Sequence, residues 1–294
     1  MNWQLYNPKF KYKQMYNDLG GPWAGHKYFG YDLVRNLKPK KIVELGTHLG
    51  CSLFSLAQAV HDSKSKTQLD AIDTWQGDKY SSFYDEDIFL KVMEIKRVCY
   101  PRVKINLIRK TFDQASKEYP NNSIDLLHID GFHTYNDVKH DYITWFQKVR
   151  NNGIIILHDT AVKKWGFGVY RVFSEAKKKF KTIEFTHSFG LGVIFKNPKV
   201  YLKLKKIIPF LQIYYALKAE KMQLNWDVTK QAQLILNYKK RLSAYNKQLG
   251  EYKDQLTTSN EQLDKILSAK TYKVWQFYNH FLKRRILKTV FNKR

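Results

Sequence analysis

Between Lys41 and Phe195, short apolar runs alternate with stretches whose apolar residues recur at helical spacing. Ile42-Val43-Glu44-Leu45 predicts a first strand, followed by a helix through Ser52 to Val60. Leu69 to Asp73, Val103 to Ile108 and Ile124 to Asp130 predict three more strands, and Asn136 to Val149 a helix. Gly153 to His158 predicts a fifth strand, entered through a turn at Asn151-Asn152-Gly153. Short strands separated by helices imply βαβ units and a mostly parallel sheet. Thr182 to Thr186 and Gly192 to Phe195 flank Ser188-Phe189-Gly190, a pattern that predicts an antiparallel hairpin at the sheet edge. The expected class is an open, doubly wound α/β sheet, in which ligands sit beyond the carboxyl ends of the strands.

Beyond residue 197 the period changes. Ile235, Leu242, Leu249, Leu256 and Leu263 recur every seven residues, and Tyr238, Tyr245, Tyr252, Ser259 and Ile266 follow three positions later. Heptads sustained this long predict a coiled coil of about 45 Å, with only Gly250 as a breaker. Its seam offers a surface for self-association into a homo-oligomer. From Thr271 to Arg294 there is no acidic residue, and Trp275, Phe277, Tyr278, Phe281, Leu282, Ile286 and Leu287 mix with Lys273, Lys283, Arg284, Arg285, Lys288, Lys293 and Arg294. Such a helix suits either an anionic membrane surface or packing on its own domain. The expected organisation is a helical lead-in over 1–40, the α/β domain over 41–197, a basic helical linker over 198–234, the coiled coil over 235–268 and a basic amphipathic tail over 269–294.

Charge sharpens that division. The 294 residues carry a formal charge of +25, and from Lys196 onward 22 Lys and Arg stand against 6 Asp and Glu, which puts +16 in the last third. A basic tail points to anionic partners, nucleic acid or acidic headgroups, or to a solvated surface. Hydrophobic content of 44% excludes a wholly disordered chain. Cys51 and Cys99 make neither a disulfide framework nor a zinc motif, so a reducing compartment is the simpler reading. Met1-Asn2-Trp3-Gln4 lacks the order of a signal peptide, and Ile207 to Leu217 is too short to span a bilayer. A cytoplasmic protein is expected, with the tail able to reach the inner face of the membrane.

The predicted strand ends carry the chemistry. After the first strand comes Glu44-Leu45-Gly46-Thr47-His48-Leu49-Gly50, where glycines allow a sharp turn and close approach of backbone to ligand. The helix starting near Cys51-Ser52 aims its N-terminal amides at the same crevice. Asp73 closes the second strand, 29 residues after Glu44, placed to accept hydrogen bonds from ribose hydroxyls. Trp75 is either a cover for an adenine face or a core aromatic. The fourth and fifth strands end in His128-Ile129-Asp130-Gly131-Phe132-His133 and His158-Asp159-Thr160. Asp130 and Asp159, on adjacent strand ends, suit a hard divalent cation such as Mg2+. Alternatively, Asp130 orients His133 as a general base for an acceptor hydroxyl. His128 reads as a hydrogen-bonded core histidine.

Ala71-Ile72-Asp73-Thr74-Trp75-Gln76-Gly77-Asp78, Ile124 through Tyr135, and Leu157-His158-Asp159-Thr160 resemble small class I methyltransferase domains that accompany bacterial glycosyltransferases. Gly166-Phe167-Gly168-Val169-Tyr170 and Gly190-Leu191-Gly192-Val193 extend the likeness over roughly residues 20–196. The group is distantly similar to macrocin-type sugar O-methyltransferases and to catechol O-methyltransferase. The resemblance implies a Rossmann-like class I sheet and S-adenosylmethionine (SAM) as cofactor, with Glu44, Gly46 and Asp73 holding it beside Thr47, Gly50, Ser52, Trp75 and Asp130. It puts Asp130 and Asp159 at the metal positions and His133 where the catechol enzymes keep a lysine base. Thr160 departs from the asparagine found there as third ligand. The implied reaction is O-methylation of a saccharide or lipid-linked glycan in surface polysaccharide biosynthesis. Two other readings are a nucleic-acid methyltransferase, which lacks its paired-proline motif here, and a non-catalytic scaffold for glycan assembly.

Overall fold

The computed structural model describes residues 3–14, 21–78, 82–83 and 85–291. Seven strands build the main sheet: β1 (Lys41–Leu45), β2 (Gln68–Asp73), β3 (Lys104–Arg109), β4 (Ile124–Ile129), β5 (Val149–His158), β6 (Lys181–Phe185) and β7 (Leu191–Phe195). Their order is β3-β2-β1-β4-β5-β7-β6. The first five run parallel, and β7 enters antiparallel to both β5 and β6. This is the Rossmann-like sheet with an antiparallel edge. The order reverses between β1 and β4, so a crevice opens at their carboxyl ends.

Because both faces are covered, the central strands are nearly continuously apolar rather than alternating. Ile42, Leu69, Leu126 and Ile156 pack beneath α1 (Lys27–Leu37), α2 (Cys51–Ser63) and α3 (Glu86–Cys99). Val43, Leu127, Ile155 and Leu157 face α4 (Phe112–Ser116), α5 (Tyr135–Phe146) and α6 (Val169–Lys179). Local sequence fixes where the helices begin. Thr111 caps α4 in a reciprocal box with Gln114, and the Thr134 hydroxyl caps α5 through the Asp137 amide.

One expected turn is absent. Asn151-Asn152-Gly153 lies inside β5, and the register between β4 and β5 shifts at Ile124/Leu126 instead. Gly153 makes this passage feasible, since a Cβ there would stand about 3 Å from the carbonyls of Arg150 and Asp125. The edge hairpin does turn at Ser188-Phe189-Gly190, all three with positive φ.

The chain divides into two compact units, Met1–Asn225 and Trp226–Arg294. After α7 (Pro198–Leu204), α8 runs unbroken from Ile208 to Ser268, so the expected linker and coiled coil share one helix. Its first turns belong to the α/β unit, where Leu211 and Tyr215 are buried. The Tyr215 hydroxyl donates to Asp32 Oδ2 at 2.6 Å and accepts from Trp3 Nε1 at 3.1 Å. The Tyr6 amide donates to the other Asp32 oxygen. Burial nonetheless pushes the Asp32 carboxyl up to about 7. In the second unit, α9 (Lys270–Phe291) follows, with Trp275, Phe277, Tyr278 and Phe281 exposed. Lys293 and Arg294 of the expected tail lie outside the described residues, as do the side chains of Ile286, Leu287 and Lys288. Among the described residues no helix is long and apolar enough to cross a membrane.

Removing the Tyr215 hydroxyl leaves a buried carboxyl short of a donor, a loss of about 1–3 kcal/mol. Tyr215→Phe is therefore expected to lower the urea midpoint of unfolding at neutral pH. An unchanged midpoint would show that water replaces the lost donor.

Candidate active site

The chain leaves β1 at Leu45 and enters α2 at Cys51 through a tight loop. Gly46 has φ +86°, and its amide donates to the Ile72 carbonyl at 3.0 Å. Across the crevice, the Asp130 amide donates to the Leu45 carbonyl at 2.8 Å. A Cβ on Gly46 would come within 2.1 Å of the Asp130 carbonyl oxygen. Thr47 and His48 then turn their amides to Asp73 Oδ2, both at 2.9 Å, while the Trp75 amide donates to Oδ1 at 2.8 Å. One carboxylate thus ties the end of β2 to the loop after β1. Asp73 still lines the crevice, a cleft of about 600 Å³ bordered by Gly46, Thr47, Ser52, Asp130, His133 and Asp159.

Three residues expected to touch a cofactor lie behind that surface instead. Glu44 is buried, accepting from the Thr47 hydroxyl at 3.1 Å and pairing with His128 Nδ1 at 2.9 Å. It braces the loop and meets the histidine predicted for the core. Trp75 is 1% exposed, packs on Phe89 and donates to the His48 carbonyl at 3.0 Å. It is a core aromatic, and the adenine-cover reading is corrected. Gly50 shapes the loop through φ +82°, with Phe54 filling the space a Cβ would take.

At the ends of β4 and β5 two carboxylates meet two imidazoles. His133 Nε2 lies 2.9 Å from Asp159 Oδ2 and 3.9 Å from Asp130 Oδ1. His158 Nδ1 lies 3.2 Å from Asp130 Oδ1 and 3.3 Å from Asp159 Oδ1. Burial alone would raise both carboxyls, but His158 and His133 outweigh it and hold Asp130 well below the usual range and Asp159 below it. Reciprocally, burial would lower His133, yet Asp130 and Asp159 raise it to about 9. They raise the wholly buried His158 to about 10 against the same opposing burial. Two negative and two positive groups therefore balance at neutral pH.

Sequence alone gives His158 no direction and does not reveal the lid on His133. Phe167 stacks flat on the His133 ring, at 4.4 Å and 3°. The Gly168 amide fixes this loop by donating to the His133 carbonyl at 2.7 Å. Gly168 must be glycine because a Cβ would sit 2.4 Å from Tyr135 backbone atoms. The pair of glycines around Phe167 was the available signal. Trp23 was hidden in the N-terminal aromatic segment; its ring lies 4.4 Å from that of His128, and it lines the cleft.

Gly46→Ala is expected to weaken binding of SAM and of its product S-adenosylhomocysteine at least tenfold in calorimetric titration, because β1 and β4 must separate to admit the methyl group and alanine is strained at this φ. Wild-type affinity in the variant would show that the loop tolerates the separation.

Residues 43–160 match a family described as a methyltransferase domain. A curated relative from Sinorhizobium fredii, the uncharacterized protein y4gI, is 38% identical over 211 residues, covering 72% of this chain and 22% of the relative. The chain thus spans about a fifth of that relative's length. Among solved structures, a methyltransferase from Geobacter sulfurreducens is similar with 16% identity, covering 57% of this chain and 76% of that one at a TM-score of 0.44. The SAM complex of the O-methyltransferase TomG from Streptomyces achromogenes, involved in tomaymycin synthesis, has 11% identity, 65% and 91% coverage and a TM-score of 0.45. An O-methyltransferase from Bacillus cereus with S-adenosylhomocysteine has 16% identity, 61% and 83% coverage and a TM-score of 0.43. The family match falls on the strands and loops that build the cleft, from β1 to the end of β5, and this part of the chain is similar to a methyltransferase domain.

Proposed function

We propose that this domain methylates a hydroxyl of a saccharide, as in a surface-glycan precursor, with His133 as the base. The observation that carries the reading is the position of His133, about one-third exposed, between two ionised carboxylates and beside the Gly46–Asp73 loop. When bound, SAM supplies a sulfonium methyl that passes to the acceptor oxygen as the C–S electron pair returns to sulfur. The acceptor proton must leave in the same step, because an alcohol is a weak nucleophile at neutral pH. His133 receives it on Nδ1 while Nε2 keeps its proton, donated to Asp159, and Asp159 and Asp130 stabilise the imidazolium that results. Phe167 keeps the ring plane fixed, so the base is oriented before the acceptor arrives. Asp73 and the amides at the start of α2, which border the cleft, would hold the cofactor.

The acceptor class is supported by the rim. Trp165 is 63% exposed and Phe189 is 40% exposed, with ring centroids 5.9 Å apart, and Trp165 lies equally close to Phe167. The C–H faces of a sugar ring carry partial positive charge and settle on the negative faces of aromatic rings. The likeness of the strand-end segments to glycosyltransferase-associated methyltransferases points the same way.

A second reading has one observation in its favour. Asp130, His133 and Asp159 each offer a donor atom, all within 4.8 Å of one another. That set fits a divalent ion, which would polarise the acceptor hydroxyl in place of a base. The nitrogen donor suits manganese or zinc better than the expected Mg2+, which takes oxygen ligands. The Thr160 hydroxyl oxygen is buried and lies 2.8 Å from where a Cβ on Gly190 would stand.

His133→Ala is expected to lower kcat by at least ~100-fold while leaving the dissociation constant for S-adenosylhomocysteine within about twofold. Equal loss of both would make His133 structural. The base works deprotonated and its folded pKa is raised to about 9, so kcat/KM measured in EDTA should climb with pH and level off near that value. Loss of all activity in EDTA, restored by manganese, would favour the metal reading. Trp165→Ala should raise KM for an oligosaccharide acceptor several-fold with little change in kcat. A preference for phenolic over saccharide acceptors would overturn the acceptor class.

A further inference from the structure

Within the second unit, the described residues present an exposed apolar stripe. Ile235, Leu242, Leu249, Leu256 and Leu263 are each at least half exposed, as are Tyr238, Tyr245, Tyr252 and Ile266. They lie on one continuous helix, spaced alternately three and four residues apart except between Leu256 and Leu263, where Ser259 takes the seam position. That spacing averages 3.5 residues, the repeat that keeps a stripe facing a second helix along its length. From Ile235 to Ile266 the stripe is about 47 Å long at 1.5 Å per residue. We propose that a second copy of this chain covers it, in a parallel, in-register, two-stranded coiled coil.

Three features select that occupant. The first is area. Each apolar side chain on the stripe has on the order of 100 Å² to give to a partner, so nine from each of two copies supply roughly 1,800 Å², above the ~1,200 Å² at which specific interfaces begin.

The second is charge. On one flank of the seam stand Arg241, Gln248, Gln255 and Gln262, and on the other Lys239, Asn246, Lys253 and Asn260. In a parallel coil each residue of the first flank faces the partner residue five positions later. In register, Arg241 meets Asn246, Gln248 meets Lys253 and Gln255 meets Asn260, so no cation opposes a cation. A slip of one heptad either way brings Arg241 against Lys239 or Lys253. For a chain of net charge +25 this pattern both permits the pair and sets its register.

The third is the opposite face. Glu251, Asp254, Glu261 and Asp264 all lie away from the seam, as does Gly250, where a Cβ would meet nothing within 4 Å. Gly250 therefore leaves no gap in the seam, whose one polar position is Ser259.

The test is the mass of the full chain in solution, by light scattering and sedimentation equilibrium at micromolar concentration. Wild type is expected at twice its 35.0 kDa chain mass. Leu242→Asp combined with Leu256→Asp should fall to the single mass. Ser243→Asp with Thr257→Asp adds the same charge one position along, on the outer face, and should stay at twice. Leu263→Cys should form an intermolecular disulfide on mild oxidation that wild type does not. A single mass for wild type, as when the stripe belongs to another protein's helix, overturns the proposal. So does a doubled mass that the seam variant retains, and absence of the crosslink in the Leu263→Cys variant overturns the parallel register.

Discussion

The ends of β1 and β4 come so close that only a residue without a side chain fits between Leu45 and Thr47. Gly46 rests against the carbonyl of Asp130, and the Asp130 amide bonds back to Leu45. Two consequences follow from this one contact. The backbone after β1 is forced into a turn that brings the Thr47 and His48 amides to Asp73. The same contact holds Asp130, at the end of β4, in fixed relation to the loop after β1. Methyl transfer needs donor and acceptor aligned within a fraction of an ångström, and a shared backbone contact transmits position more rigidly than side chains do.

Charge is handled by the same economy of space. Two carboxylates this near each other and mostly buried would repel, and one would take up a proton. His158, wholly buried, and His133, open to the cleft, prevent that. They differ in what they can do. His158 is held from both sides, by the carboxylates and by the Ser188 carbonyl at 3.3 Å, and serves as a fixed counter-charge. His133, about one-third exposed, is held by Asp159 on one edge and by the face of Phe167, and its remaining edge is open to the cleft, so its proton can be exchanged with a ligand.

Much of this was legible in the sequence, for physical reasons. A parallel sheet buried on both faces writes itself as short β-branched runs. The ligand site of such a sheet lies at strand ends, so Gly46, Asp73, Asp130, His133 and Asp159 stood out as polar or glycine residues terminating apolar strands. Burial direction was harder to read. Glu44 and Trp75 carry the right chemistry at nearly the right places, but each points beneath the loop, where they hold Thr47 and His48. Chain-distant contacts left no local trace, as with Trp23 beside His128 or Trp3 bonded to Tyr215. The single helix from Ile208 to Ser268 was obscured because its first turns follow the irregular pattern of a buried face and its remainder follows a heptad.

The mouth of the cleft has a further property. His48, Asp159, Trp165, Ser188 and Phe189 all adopt left-handed backbone, a conformation that side-chain-bearing residues enter only when their surroundings compel it. Such residues on three separate connections mean that the rim is set when the protein folds. A ligand entering it finds its walls already ordered, and little of the interaction is spent on arresting loops. Such a mouth discriminates by shape at first encounter. For the proposed acceptor, selection by shape would then rest on the backbone of these connections as much as on their side chains.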